Sequence, residues 1–134
     1  MTNIKKEVLA IIPARGGSKG IPRKNVIDFA GYPLISYSIA AGLASEHINR
    51  VIVSTDNEEI AEVSRRYGAE TPFMRPSIHA QDLTPDLPVF SHALEWLAEN
   101  EDYHPDIVVQ LRPTSPFRRL WHIEKAVEKL IEEP

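Results

Sequence analysis

Apolar runs and apolar stripes alternate along this chain. Val8-Leu9-Ala10-Ile11-Ile12 is continuously apolar, the pattern of a strand buried on both faces. Pro33 suits the first turn of a helix running to about Ser45, with Leu34, Ile35, Ile39 and Leu43 on its inner side. Val51-Ile52-Val53-Ser54 predicts a second strand after Arg50. Asp56 followed by Glu59 reads as a capping box, opening a helix with Ile60, Val63 and Tyr67 as apolar positions and Gly68 as its end. A short extended segment is expected near residues 71–74, then an irregular polar loop over 75–83. Thr84 and Pro85 open a further helix with Phe90, Ala93, Leu94 and Leu97 at helical spacing. Ile107-Val108-Val109-Gln110-Leu111 predicts another buried strand, and residues 121–132 a last amphipathic helix.

Strands alternating with helices imply βαβ units and a mainly parallel sheet with right-handed crossovers. If the first and fourth strands lie side by side, the winding reverses between them. Ligands in such sheets sit beyond the carboxyl ends of the strands at that switch point. Two loops would meet there, residues 15–25 and 112–116.

Composition narrows the classes. The 134 residues suffice for a single α/β domain spanning 1–134. The formal charge is −4, with no broad basic surface for nucleic acid or an anionic membrane. There are no cysteines, which removes disulfides, thiolate catalysis and cysteine-bound metals. The run after Lys5 and Lys6 is too short for a signal peptide, and no segment reaches transmembrane length, so a cytoplasmic protein is expected. His47, His79, His92, His104 and His122 lack metal-ligand spacing, so no zinc site is expected. Trp96 and Trp121 read as packing residues.

Against the acidic background, residues 15–28 hold four cations and one anion, a local +3. The segment Arg15-Gly16-Gly17-Ser18-Lys19-Gly20-Ile21-Pro22-Arg23-Lys24-Asn25 leaves directly from the first strand. Glycines let backbone N–H groups approach phosphate oxygens, and basic side chains neutralise them. A solvated surface turn is the alternative for any single glycine pair. The segment is no Walker A loop, lacking Gly-Lys-Ser/Thr at the required spacing, and Gly16-Gly17-Ser18 breaks the dinucleotide fingerprint.

These residues resemble the acylneuraminate cytidylyltransferases, which make CMP-activated sialic acids and related nine-carbon acids. The resemblance rests on the 12–25 run, Val53-Ser54-Thr55-Asp56, Arg75-Pro76, Asp82, His92-Ala93-Leu94 and Arg112-Pro113-Thr114-Ser115-Pro116, colinear over nearly the whole chain. It implies a Rossmann-like nucleotide-diphospho-sugar transferase fold, a mainly parallel sheet flanked by helices, here incomplete at the C-terminus. It also implies CTP and a nonulosonic acid as substrates, with attack of the anomeric hydroxyl on the α-phosphorus and loss of pyrophosphate. Catalysis then depends on positioning and electrostatic stabilisation.

By the same resemblance Arg15 and Lys24 hold the triphosphate and stabilise the leaving group, as the catalytic pair. Gly16, Gly17 and Ser18 supply donors, and Asn25 contacts the nucleotide. Arg75 matches an arginine near the cytosine; a loop ion pair with Asp82 is its equal alternative. Asp82 and Thr84 border that pocket, although Thr84 could instead cap the following helix. Asp56 could ligate magnesium, but its capping-box setting favours a structural role. Many sialic-acid relatives carry glutamine at the position of Arg112, where arginine could grip the sugar carboxylate bidentately. Thr114 and Ser115 could donate to the sugar or only shape a turn between prolines.

Family members usually continue past this length, with an acidic pair for Mg2+, residues closing over the sugar and a dimerisation arm. The metal ligands are therefore expected beyond this chain, a homodimer is expected of the full-length protein, and residues 1–134 alone should bind nucleotide with little turnover. Two alternatives stay open: a non-catalytic nucleotide- or sugar-binding module, and a 3-deoxy-manno-octulosonate cytidylyltransferase. The latter type carries a Gln-Gly-Asp segment in place of the 112–116 loop.

Overall fold

A strand that is apolar at every position needs cover on both faces, and β1 (Val8–Pro13) has it: residues 8–12 are fully buried. The computed structural model describes residues 6–14, 28–29, 31–75 and 86–111. Among them follow β2 (Asp28–Phe29), β3 (Tyr32–Pro33), α1 (Leu34–Ala44), β4 (Arg50–Ser54), α2 (Glu58–Arg66), α3 (Asp86–Glu101) and β5 (Ile107–Gln110). β1 lies between β4 and β5, parallel to both. Its register runs from Leu9↔Arg50 to Pro13↔Ser54 on one side and from Val8↔Ile107 to Ile11↔Gln110 on the other. Glu70 adds a parallel bridge to Ile52 beyond β4, which is all that becomes of the extended segment expected near 71–74.

Strand alternation divides the core into two. Val8, Ala10, Ile12, Val51 and Val53 face Ile35 and Ile39 of α1 and Ile60 of α2. Leu9, Ile11 and Ile52 face Phe73 and, from α3, Ala93 and Leu97. Each fully buried Val, Leu or Ile among these contributes roughly 1.5–3 kcal/mol. α1 and α2 thus cover one face and α3 the other, the two-sided winding expected of a βαβ chain that reverses between its first and fourth strands. The expected α/β class holds.

Several local expectations are corrected. In α1, Ile35 and Ile39 are buried but Leu43 is 51% exposed. The buried stripe is Ile35, Ser38, Ile39 and Gly42, spaced i, i+3, i+4, i+7. Gly42, not Leu43, meets the sheet: a Cβ there would lie 2.9 Å from Val51 Cγ2 and 3.0 Å from Leu111 Cδ1. Pro33 is the N-cap and not a first-turn residue.

The N-cap expected at Asp56 gives way to one a residue later. Asn57 caps α2, its side chain accepting from the Ile60 amide at 3.0 Å, while its own amide donates to Thr55 Oγ1 at 3.1 Å. That geometry moves the helix start one residue on. At the other end Gly68 does stop the helix, at φ +100°. The Gly68 amide donates to Arg65 and the Ala69 amide to Ser64, the paired bonds of a Schellman motif. Tyr67, expected on the apolar face, is exposed. The antiparallel pair β2–β3, with Gly31 at φ +96°, was not expected from the pattern.

A polar network locks the opposite, N-terminal end of the sheet. Arg50 pairs with Glu70 through Nε at 2.9 Å and Nη2 at 2.6 Å, and with Glu101 at 3.1 Å. Its guanidinium lies 4.5 Å from the centre of the Tyr103 ring. Tyr103 in turn donates to Glu7 Oε2 at 2.7 Å. Burial, first, and then the bond to Glu7 push the Tyr103 hydroxyl well above its ordinary value.

Candidate functional site

The chain leaves the carboxyl ends of β1 and β5 at Ala14 and Leu111, both buried. The Ala14 amide donates to the Ser54 carbonyl at 2.9 Å, and the Leu111 amide to the Ile11 carbonyl at 3.1 Å. Adjacent strands therefore carry the roots of the two loops that the sequence marks for chemistry. This is the switch-point arrangement in which open α/β sheets bind ligands.

Arg75 roots at the same end. Its amide donates to the Thr55 carbonyl at 2.8 Å, directly after β4. Two residues earlier Phe73 is buried against α3, its ring 5.0 Å from that of His92 and 5.4 Å from that of Trp96. These contacts fix the segment from both sides of Met74. They also give Trp96 the packing role expected of it, with His92 packed beside it. Arg75 is only 6% exposed. A guanidinium so far from water needs anionic or hydrogen-bonding company. Both alternatives, a cytosine edge and the carboxylate of Asp82, would supply it.

Arg75 is the one predicted site residue among the described residues. Arg15, Gly16, Gly17, Ser18, Lys24, Asn25, Asp82, Thr84, Arg112, Thr114 and Ser115 lie outside them. So do Pro85, Trp121 and the helix expected over 121–132.

Ser54 was given no role of its own in the sequence. It is fully buried at the end of β4, and its hydroxyl has no hydrogen-bond partner among the described residues. Buried hydroxyls are normally paired, so Ser54 Oγ is a polar position at this end of the sheet that no described residue satisfies. Its only sequence signal is a hydroxyl closing an otherwise apolar strand.

Asp56, set aside as a metal ligand on the ground that it caps α2, is not the cap. Among the described residues, no group of three or more His, Asp or Glu side chains could hold a metal ion. Nor is any described helix long and apolar enough to cross a membrane.

Residues 9–134 match the family model described as Cytidylyltransferase. Pseudaminic acid cytidylyltransferase of Campylobacter jejuni is 46% identical over 125 residues, covering 92% of this chain and 53% of that protein. CMP-N,N'-diacetyllegionaminic acid synthase of Legionella pneumophila is 42% identical over 124 residues, 90% of this chain and 52% of that protein. N-acylneuraminate cytidylyltransferase of Escherichia coli is 38% identical over 125 residues, 93% of this chain and 28% of that protein. The chain spans about half the length of the first two relatives. A CTP complex of CMP:2-keto-3-deoxy-manno-octonic acid synthetase superposes with a TM-score of 0.81 over 96% of this chain and 48% of that one. At 21% identity that match speaks for the fold.

Proposed function

Because the chain belongs to the cytidylyltransferase family, we propose that it carries the nucleotide-binding part of an enzyme transferring CMP from CTP to a sialic acid or related nonulosonic acid. The anomeric oxygen of the sugar attacks the α-phosphorus. The bond from that phosphorus to the bridging oxygen breaks, pyrophosphate leaves with the bond electrons, and the hydroxyl proton passes to a base. The observation that carries this reading is the adjacency of β1 and β5, which roots the 15–25 and 112–116 loops side by side.

In this reading Arg15 and Lys24 neutralise the triphosphate and the departing pyrophosphate. Gly16, Gly17, Ser18 and Asn25 donate to the nucleotide. Arg75, with Asp82 and Thr84 nearby in sequence, serves the cytosine side, and its buried root after β4 supports a fixed reading position. Arg112, Thr114 and Ser115 face the sugar acid. The relatives acting on pseudaminic and legionaminic acids make those acids the leading acceptors to test. The described residues offer no cluster of three or more acidic or histidine side chains for Mg2+. We place its ligands beyond this chain. A single domain over 1–134, a cytoplasmic location and a homodimeric full-length enzyme belong to the same proposal.

The test is pyrophosphate release by the full-length protein with CTP or UTP, magnesium, and a panel of pseudaminic, legionaminic, N-acetylneuraminic and 3-deoxy-manno-octulosonic acids. Turnover with CTP and a nine-carbon acid is expected. CTP binding without turnover on any acceptor would favour a non-catalytic module instead. Arg15→Ala should lower CTP affinity by about tenfold or more, the scale of a lost charge-assisted contact, with an unchanged Tm. Unaltered affinity would remove Arg15 from the site.

A further inference from the structure

β1 ends unequally on its two sides. Towards β4 the pairing runs through Pro13↔Ser54, and the Ala14 amide still bonds the Ser54 carbonyl at 2.9 Å. Towards β5 the last pair among the described residues is Ile11↔Gln110, and their last bond is from the Leu111 amide to the Ile11 carbonyl at 3.1 Å.

The backbone explains the difference. In a central parallel strand, the N–H groups of successive residues point to opposite neighbours. The Ala14 amide points to β4, so position 13 faces β5. The next acceptor of that ladder is the carbonyl of Leu111. Residue 13 is proline and has no N–H to give. The bond that would carry β1–β5 pairing one step further cannot form. Proline is otherwise kept out of central strands for this reason. Here it occupies the last residue of β1, on the side of the strand that leads to Arg112.

Building on the nucleotidyl-transfer reading, we propose that Pro13 is a positioning residue that stops β1 and β5 from zipping together and so holds open the cleft through which a nucleoside triphosphate enters. On the β4 side the Ala14–Ser54 bond closes the sheet. On the β5 side the missing donor leaves the two strand ends free to diverge, and the loops starting at residues 15 and 112 leave from those ends.

The experiment replaces Pro13 with residues that carry an N–H, Pro13→Ala and Pro13→Val, in the full-length protein. Backbone amide exchange of residue 13 and titration with magnesium–CTP are then measured. In both variants the amide of residue 13 should exchange slowly, bonded to the Leu111 carbonyl, while Ala14 stays protected and the Tm is unchanged or higher. CTP affinity should fall about fivefold, since one added net hydrogen bond must break to readmit the ligand. A protected amide with wild-type affinity overturns the proposal, and so does a freely exchanging amide. If the unaltered protein binds no CTP, the nucleotidyl-transfer reading fails on its own. Exchange at residue 13 then decides the wedge, protection supporting it and free exchange overturning it.

Discussion

Gly42→Ala tests how tightly α1 is seated on the sheet. Two effects oppose one another. Alanine in place of glycine inside a helix favours the folded state by about 1 kcal/mol. The added carbon, however, would lie 2.9 Å from Val51 Cγ2 and 3.0 Å from Leu111 Cδ1, where relaxed carbon contacts need about 3.5–4.0 Å. Overpacking of this kind costs about 1–3 kcal/mol. Relief is hard to find. Val51 is β-branched, with a stiff χ1, and sits in β4 paired with Ala10 of the fully buried central strand. Leu111 can turn its side chain, but it is 1% exposed and its amide is tied to Ile11. We expect the clash to win by about 1 kcal/mol, lowering Tm by roughly 3–6 °C. Thermal and urea unfolding monitored by circular dichroism would show it, with the urea m-value unchanged. A Tm equal to or above that of the parent would mean that helix propensity outweighs the contact, refuting the tight seat.

Asn57→Ala should cost about 1 kcal/mol of stability and Asp56→Ala clearly less, because the bond to the Ile60 amide belongs to Asn57; a reversed order in urea unfolding would reinstate the capping box. Tyr103 has its titration raised above the ordinary 10.0, so an unfolded chain releases this proton before the folded one does. Its contribution is intact below about pH 10 and is lost as pH rises further; Tyr103→Phe should flatten that alkaline decline, and identical wild-type and variant profiles would contradict it. Arg112→Gln should change the preference among sugar acids with little effect on CTP. A drop in CTP affinity at constant acceptor preference would assign that loop to the other substrate.

The sequence made β1 legible because burial on both faces leaves a continuous apolar run over 8–12; 107–111 was expected to be buried in the same way, but β5 is only partly covered and Val108 is 37% exposed. Adjacency of the first strand and the one at 107–111 entered only as a condition, which the order β4–β1–β5 meets. What escaped is instructive. Leu43 fits a helical apolar stripe as well as Ile39 does, but only a glycine lets α1 approach β4 closely, so the buried stripe turned towards Gly42. Asp56 and Asn57 are both good caps, and a hydrogen bond of one amide decided between them. The β2–β3 pair is two residues per strand, too short for any periodicity to register. For the candidate site, local charge singles out the basic loop, which lies outside the described residues, and resemblance singles out Arg75. Ser54 was not, because nothing in a sequence distinguishes a paired hydroxyl from an orphaned one.

The placement of β1 also dictates an order of assembly. Its two neighbours come from far along the chain: the Val8 amide reaches Asn49 across 41 residues, and the Glu7 amide reaches Asp106 across 99. Such distant pairings raise contact order and slow folding, since the entropy of closing long loops precedes any reward from the contacts. During synthesis the first strand to emerge must wait, apolar on both faces, until β5 has left the ribosome. The strand order that brings the two loops together thus leaves an apolar strand uncovered on the nascent chain until its second neighbour exists, the kind of surface from which aggregation starts.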